Sequence, residues 1–403
     1  MALTPVDAAL AAVLAGSGPL PEEMAALELA HHRTLARDIV ALRTQPPQAM
    51  SAMDGYAVRA ADAGTVEACL KVIGEIAAGR PFDRTIGQGE AARIFTGGVV
   101  PDGADAVVIQ EDTIADGNTI TIKHAVVAGV NIRPAGIDFR QGEVLLKAGR
   151  RLTDRDLSLA ASMNYPELPV HRRPMVALLA TGDELVMPGT VPGPGQIVYS
   201  NGYALHALFR SEAAETIDLG VAADTMASTI TGIRRAREAG VDVLVTTGGA
   251  SVGDHDLVKR ALEAEGVEIA FWKIAMRPGK PMMLGRLGPM RVVGLPGNPV
   301  SSYVCALLFV VPLLRALVGS EIIHHARETA LLGRDLWPND VREDYLRAKL
   351  ETRADGSLIA TPVTRQDSSL LAYLSQADAL VIRPPFAPAA AAGSTCEILR
   401  LPK

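Results

Sequence analysis

Aromatic residues make up only 4% of this chain, with two tryptophans in 403 residues. So thin a supply provides no row of stacking platforms for bases, and a net charge of −6 without a basic stripe argues against a nucleic-acid binder. Cysteine is scarcer still. Cys69, Cys305 and Cys396 lie far apart and form no CxxC pair, which argues against a disulfide framework and a cysteine zinc site and fits a reducing cytoplasm. The Ala8–Ala15 stretch has no basic segment ahead of it, so no signal peptide is expected. One apolar run, Val300–Val318, approaches membrane-spanning length. It follows a glycine turn and carries Ser301, Ser302, Pro312 and Arg315, so it reads as a buried helix, and no membrane contact is expected. The eight histidines do not group as zinc ligands, and no Ser–His–Asp or Cys–His pattern announces a covalent nucleophile. A Walker loop and a GxGxxG fingerprint are also missing.

What the chain does have is glycine at chemically telling places. Four turns stand out: Thr181-Gly-Asp-Glu184, Thr246-Thr-Gly-Gly-Ala-Ser-Val-Gly-Asp254, Arg277-Pro-Gly-Lys-Pro281 and Leu295-Pro-Gly-Asn-Pro299. Short, barely alternating Val/Leu-rich runs precede three of them (Met175–Ala180, Val241–Val245, Arg291–Gly294). Strands buried on both faces of a parallel sheet read this way. Helical-period segments lie between the runs, so a βαβα pattern with all the turns along one sheet edge is expected. Open α/β sheets bind their ligands at that edge.

The length calls for several domains. Pro5–Gly16 and Pro21–Leu42 read as helices, the second broken off by Gln45-Pro-Pro47. From Ser51 to about Leu146 short alternating runs take over, and Asp116-Gly-Asn118 is a hairpin signal. Thr153 caps a helix to Asn164, Ser200 caps a helix from Tyr203 to Ser211, and Thr225–Ala239 and Asp256–Glu265 form two more. Past Gly319, runs at Leu346–Leu350, Leu358–Pro362 and Ala379–Ile382 suggest a small barrel or sandwich. The expectation is an α/β multidomain protein. A helical, linking domain spans 1–43 and 133–171, a β-rich module 44–132, a central α/β domain with a mostly parallel sheet 172–319, and a C-terminal β-barrel 320–403.

Chemistry gathers at the turns. The Thr246–Asp254 turn lets backbone approach an anion closely and opens a helix. Asp254 and Asp256 would repel a bare phosphate, but with Asp183 and Glu184 they make an oxygen-rich pocket suited to Mg²⁺. Lys273, Arg277 and Lys280 would neutralise a pyrophosphate or an oxyanion. In the β-rich module Ser51-Ala-Met-Asp-Gly-Tyr-Ala57 is an unusual string, and Arg93–Gly98 and Asn131–Asp138 repeat a theme of arginine, glycine and a small polar group.

Taken in order, Ser51–Ala57, Arg93–Gly98, Gly103–Val107, Thr181–Leu185, Thr246–Asp256, Phe271–Lys273, Arg277–Pro281 and Leu295–Ser301 resemble the molybdopterin molybdenumtransferase family, the molybdenum insertases related to the gephyrin C-terminal domain. The resemblance runs through essentially the whole chain. It implies a homodimer in which the partner's β-rich module closes the α/β site. It also implies a reaction in which molybdate and adenylylated molybdopterin, with Mg²⁺, give molybdenum cofactor and AMP. By the same resemblance Asp54, Asp138, Glu184, Asp256, Lys273 and Arg277 are catalytic, and Glu184, Asp254 and Asp256 hold the metal. Thr96, Gly97, Thr181, Gly182, Ser200, Asp224, Gly248, Gly249, Ser251 and Gly253 would bind the pterin nucleotide. So would Lys280, Pro296, Asn298 and Ser301. Ile137 stands where the family often has an acidic residue, and Arg277 where lysine also occurs. The resemblance further points to contacts with the adenylylating enzyme and with molybdoenzyme apoproteins. The competing readings are a molybdopterin adenylyltransferase and a non-enzymatic scaffold. The β-rich module and the C-terminal barrel weigh against the first, and acidic and basic clusters facing one cleft weigh against the second.

Overall fold

The computed structural model describes residues 3–248 and 257–402. Helix α1, Val6–Leu14, buries Val6, Ala9 and Val13. The Pro21–Leu42 helix does not form. In its place are strand β1, Glu22–Ala26, a 3₁₀ turn at Leu27–Leu29 and a short strand at Ile39–Val40. Alanine and leucine there do recur at helical spacing, but β1 finds a distant antiparallel partner, Glu167–His171. Ala25, Ala30, Leu35, Ile39 and Ala41 then fill one core with Phe139, Leu146, Ala160 and Val170. Tertiary pairing thus overrides local periodicity.

The β-rich module is a six-stranded sheet. Its strands are β2 (Gly55–Val58), β3 (Cys69–Ile76), β4 (Glu90–Ile94), β5 (Ala106–Ile109), β6 (Thr113–Asp116) and β7 (Thr119–Ile122), in the order β5-β2-β4-β3-β7-β6. The expected hairpin joins β6 to β7 with Gly117 at φ +57°. Helix α2, Asp154–Ser162, begins at Thr153 with a full capping box, Thr153 and Asp156 each bonding the other's backbone. Strand β8, Glu167–His171, follows.

The central sheet is built from β9 (Met175–Thr181), β10 (Glu215–Ala222), β11 (Val243–Thr247), β12 (Glu268–Lys273), β14 (Pro281–Leu287) and β15 (Met290–Leu295). Their order is β10-β9-β11-β15-β14-β12. The first four are parallel, whereas β14 runs antiparallel to both β15 and β12. Edge strand β10 escapes sequence reading because its residues are mostly half-buried rather than a continuous apolar run. Helices α3 (Asn201–Ser211), α4 (Met226–Glu238) and α5 (Leu257–Ala264) cover the sheet. One face buries Leu179, Leu244 and Val292 with Ile233 of α4 and Leu262 of α5. The other packs Val176, Val245 and Val293 against α1, α3 and the long helix α6, Pro299–Leu317.

The expectation for α6 holds: 89% of it is buried inside the protein. Its central turn, Ala306–Val310, widens to π geometry just before Pro312, which has no N–H for a normal helical ladder. The C-terminal strands are β16 (Glu328–Leu332), β17 (Glu343–Thr352), β18 (Leu358–Pro362), β19 (Ala379–Arg383) and β20 (Thr395–Arg400). Pairing in the order β17-β18-β16-β20-β19 and back to β17 closes a five-stranded barrel. The two-residue strand β13, Met276–Arg277, reaches out of the central domain and pairs with β17.

Candidate functional site

Three parallel strands end together. Thr247 is in register with Leu295 across β11 and β15, and Ala180 with Thr247 across β9 and β11. On the antiparallel side Lys273, the last residue of β12, faces Pro281, the first of β14. The four glycine turns therefore leave from one sheet edge, as the sequence led us to expect. Three of them touch. Gly248 has φ +89°, and a β-carbon there would lie 2.6 Å from the carbonyl oxygen of Thr181. Only glycine allows that approach. A β-carbon on Gly297 would sit 3.6 Å from the Gly248 Cα, and Asn201 Nδ2 donates to the Gly297 carbonyl at 2.8 Å.

Acidic groups collect at the β9 end of this edge. Asp224 N–H donates to Asp183 Oδ1 at 3.0 Å, and Asp183 N–H returns the contact to Asp224 Oδ2 at 3.3 Å. Asp224 thus joins the Thr181–Glu184 turn. The Glu184 carboxylate folds back over Gly182, so closely that any side chain at 182 would strike it. Glu184 is exposed, whereas Thr181, Pro296 and Ser301 are buried. Ser200 and Asn298 occupy the cap positions of α3 and α6 without donating or accepting a side-chain cap bond there. Among the described residues no group of three His, Cys, Asp or Glu is gathered for a metal ion. Gly249, Ser251, Gly253, Asp254 and Asp256 lie outside the described residues.

The basic turn divides in two. At its neck the Ile274 N–H donates to the Lys280 carbonyl at 2.8 Å. No hydrogen bond or ion pair to another described residue engages the Lys273 or Lys280 ammonium. At its tip Arg277 is half-exposed, with Nε donating to Asp344 Oδ1 at 2.8 Å and a terminal nitrogen to Oδ2. Gly279, at φ +110°, is seated against the Cys305 sulfur of α6. Burial pushes that thiol up to about 12.

The β-rich module assembles a second cluster. Asp54 Oδ1 accepts both the backbone N–H and the hydroxyl of Thr96, each at 2.7 Å. These donations, helped by nearby Arg93, hold the Asp54 carboxyl below its usual range. Gly97, at φ +78°, donates to the Ser51 carbonyl at 2.9 Å. Arg93 lies over the rings of Tyr56 and Phe95, 5.1 Å from each centre. The short strand Ile132–Arg133 pairs with Met50–Ser51, which draws the Asn131–Asp138 segment beside the Asp54 loop. Asp138 is exposed, its N–H donating to the Gln45 carbonyl at 3.1 Å. Among the described residues no hydrogen bond, ion pair or shared apolar core joins residues 44–132 to residues 172–319. The expected site residues thus form two separate groups within one chain.

The C-terminal barrel adds residues that the sequence reading missed. Asn298 Nδ2 donates to Ser368 Oγ at 3.0 Å, and Val300 N–H to the Ser368 carbonyl at 3.0 Å. Arg347, 1% exposed, holds that loop by donating to the carbonyls of Leu370 at 3.1 Å and Asp367 at 2.9 Å. The stretch Leu346-Arg-Ala-Lys-Leu350 carries two cations, Arg347 and Lys349, and nothing in it marks the arginine as the buried one.

Comparison with known proteins gives three consecutive family matches. Residues 4–164 match the family described as MoeA N-terminal region (domain I and II). Residues 177–316 match a probable molybdopterin binding domain, and 329–401 the MoeA C-terminal region (domain IV). A molybdopterin molybdenumtransferase of Bacillus subtilis is 36% identical over 405 residues, covering 98% of this chain and 93% of its own length. One from Haemophilus influenzae is 39% identical over 304 residues, covering 75% of this chain and 74% of its own. The crystal structure of a molybdopterin biosynthesis MoeA protein from Pyrococcus horikosii superposes with a TM-score of 0.85 at 33% identity, covering 100% of each chain.

Proposed function

The chain belongs to the molybdopterin molybdenumtransferase family, and on that premise we propose a residue-level account of how it inserts molybdenum into adenylylated molybdopterin with release of AMP. The convergence of the Thr181, Gly248 and Gly297 turns with Lys273 and Lys280 on one edge carries the reading. Backbone packed that closely offers its N–H groups to a pyrophosphate, and two ammonium groups with no partner among the described residues meet the charge of the nucleotide and of molybdate. The adenylyltransferase alternative is disfavoured because matches to the MoeA N-terminal and C-terminal regions flank the molybdopterin-binding domain.

Carboxylates of Glu184, Asp254 and Asp256 are oxygen donors suited to Mg²⁺, which would supply charge neutralisation at the phosphoryl group. Asp224 positions the Glu184 turn through its reciprocal contact with Asp183. The assembly we infer is a homodimer. Asp54, Thr96 and Asp138 of one copy would complete the edge that carries Glu184, Lys273 and Lys280 in the other. Supporting this, exposed apolar side chains flank both clusters, Met53 and Ile137 on one and Met187 and Ile197 on the other. Such flanks suit a surface meant to be covered. The division into 1–43 with 133–171, 44–132, 172–319 and 320–403 belongs to the same reading. Partly separate apolar cores support it, although α1 and the barrel residues Tyr345, Leu380, Ile382 and Leu399 pack into the core of the α/β domain. Three unpaired cysteines suit a cytoplasmic site of action.

The test is molybdate-dependent AMP release from adenylylated molybdopterin with Mg²⁺, read together with activation of a molybdenum-free apo-oxidase. Both signals should appear with the native protein and vanish with Asp54→Ala. AMP transfer from ATP to molybdopterin, without molybdate-dependent AMP release, would move the assignment to the adenylylating step.

A further inference from the structure

The end of the central sheet away from the glycine turns carries a second basic cluster. Arg286 of β14 and Arg291 of β15 stand directly opposite each other in antiparallel register. Like charges so placed repel unless an anion lies between them. Among the described residues each of these side chains makes one hydrogen bond and no ion pair. Arg286 Nε donates to the Gly288 carbonyl, and an Arg291 terminal nitrogen to the Ala15 carbonyl, both at 2.9 Å. We propose that Arg286, Arg291 and the Gly16-Ser-Gly18 loop form an oxyanion site, suited to inorganic phosphate or to the phosphate of a phosphomonoester. It is separate from the catalytic edge. Arg291 is in register with Val243, the first residue of β11, whereas the catalytic turns leave from Thr247 and Leu295, about 13 Å further along the strands.

The chain itself builds the cradle. Helix α1 ends at Leu14, and the backbone turns through Gly16 at φ +62°, a conformation that glycine adopts freely. A β-carbon on Gly16 would lie 3.6 Å from an Arg291 terminal nitrogen and 3.8 Å from one of Arg286. Both guanidinium groups thus converge on the space that a side chain at 16 would fill. The next residue, Ser17, has a buried hydroxyl oxygen with no hydrogen-bond partner, an atom that calls for a ligand or a water. Around Gly18 the space is open. Arg291 is only 8% exposed. Burial first, and the Arg286 charge second, hold its pKa below the ordinary value. A guanidinium has five N–H donors in a fork that matches a phosphate, and the bond to Ala15 uses one of them. Capping the carboxyl end of α1 accounts for a single cation. It gives no reason for a second arginine in register with the first, whereas an oxyanion between them offsets the repulsion and takes the remaining donors. Arg286 is exposed, so the cradle opens to solvent on its side.

Amide exchange of the peptide spanning 12–20 reads this site locally and needs no turnover. Inorganic phosphate at about 10 mM should slow that exchange about threefold in the native protein, and sodium chloride at equal ionic strength should not. Arg286→Ala, at an exposed position, should keep the native far-UV spectrum and lose the protection. Ser17→Ala should weaken it, because one polar partner is gone. Lys273→Ala, altered only at the catalytic edge, should keep it in full. Repeating the experiment with AMP separates the two sources of the phosphate group. Protection by AMP that is lost in Arg286→Ala assigns a phosphomonoester, and protection by inorganic phosphate alone assigns the free ion. No slowing by either anion in the native protein, or slowing that survives Arg286→Ala, would overturn the site and leave Arg291 as the cap of α1.

Discussion

Asp54 and Thr96 lie 42 positions apart, yet one carboxylate oxygen of Asp54 accepts both the backbone and the hydroxyl proton of Thr96 at 2.7 Å. Two of the module's ligand-like strings are thereby made into one rigid feature. Because Asp54 sits at the surface, its replacement should spare the fold and remove function. Asp54→Ala is expected to shift the thermal midpoint by no more than about 2 °C and to abolish AMP release. A melting curve beside the activity assay checks both.

The same contact has a pH consequence. Donation by Thr96 depresses the Asp54 carboxyl below its ordinary 3.8. A depressed carboxyl contributes stability above its unfolded value and loses it only as pH falls through the lower folded value. The clasp therefore stays intact at and above about pH 5, and any acid limb of the rate profile in that range belongs to another group. Carboxyl NMR shifts of Asp54 that titrate at or above 3.8 would contradict this.

Gly248 should tolerate no side chain. Its φ of +89° and the 2.6 Å approach to the Thr181 carbonyl combine backbone strain with a clash against main chain that cannot swing away. Gly248→Ala is expected to cost about 2–3 kcal/mol in urea unfolding and to separate the two turns enough to abolish activity.

Lys273→Ala and Lys280→Ala should each raise KM for molybdate by about 10–100-fold, the worth of one charge-assisted hydrogen bond, with little change in unfolding midpoint. Added salt should weaken the native protein's affinity more than that of either variant. Steady-state kinetics at two ionic strengths reads both effects.

His325 gives a stability prediction of its own. Burial pushes its pKa below 6.5, only partly opposed by the hydrogen bond from Nε2 to the Leu307 carbonyl at 2.7 Å. The folded protein resists a proton that the unfolded chain takes up readily. Stability should therefore fall as pH drops below about 6.5. His325→Gln should show a shallower fall in melting temperature between about pH 7.5 and 5.5, whatever its effect at neutral pH.

Much of the architecture was legible because it is written locally. The runs that become β9, β11 and β15 are buried on both faces and so are continuously apolar. Thr153 and Asp156 spell out a capping box, and Asp116–Asn118 a hairpin. Segment 21–42 was misread because its partner, Glu167–His171, is more than a hundred residues away, and periodicity carries no record of it. The site shows the same limit. Glycine turns at strand ends could be read from sequence, but the occupation of Arg277 by Asp344 and the docking of Ser368 on Asn298 depend on where the barrel closes.

The most direct test of the account mixes two variants at a molybdate concentration well below the raised KM of Lys273→Ala, where neither alone releases appreciable AMP. Asp54→Ala and Lys273→Ala impair different clusters, and no described contact joins those clusters within one chain. After subunit exchange at equal amounts, half of the dimers are mixed, and each mixed dimer has one intact composite site. AMP release should recover to about a quarter of the native rate. Mixed dimers that form, as shown by differently tagged copies purifying together, yet stay silent would contradict a site shared between two copies.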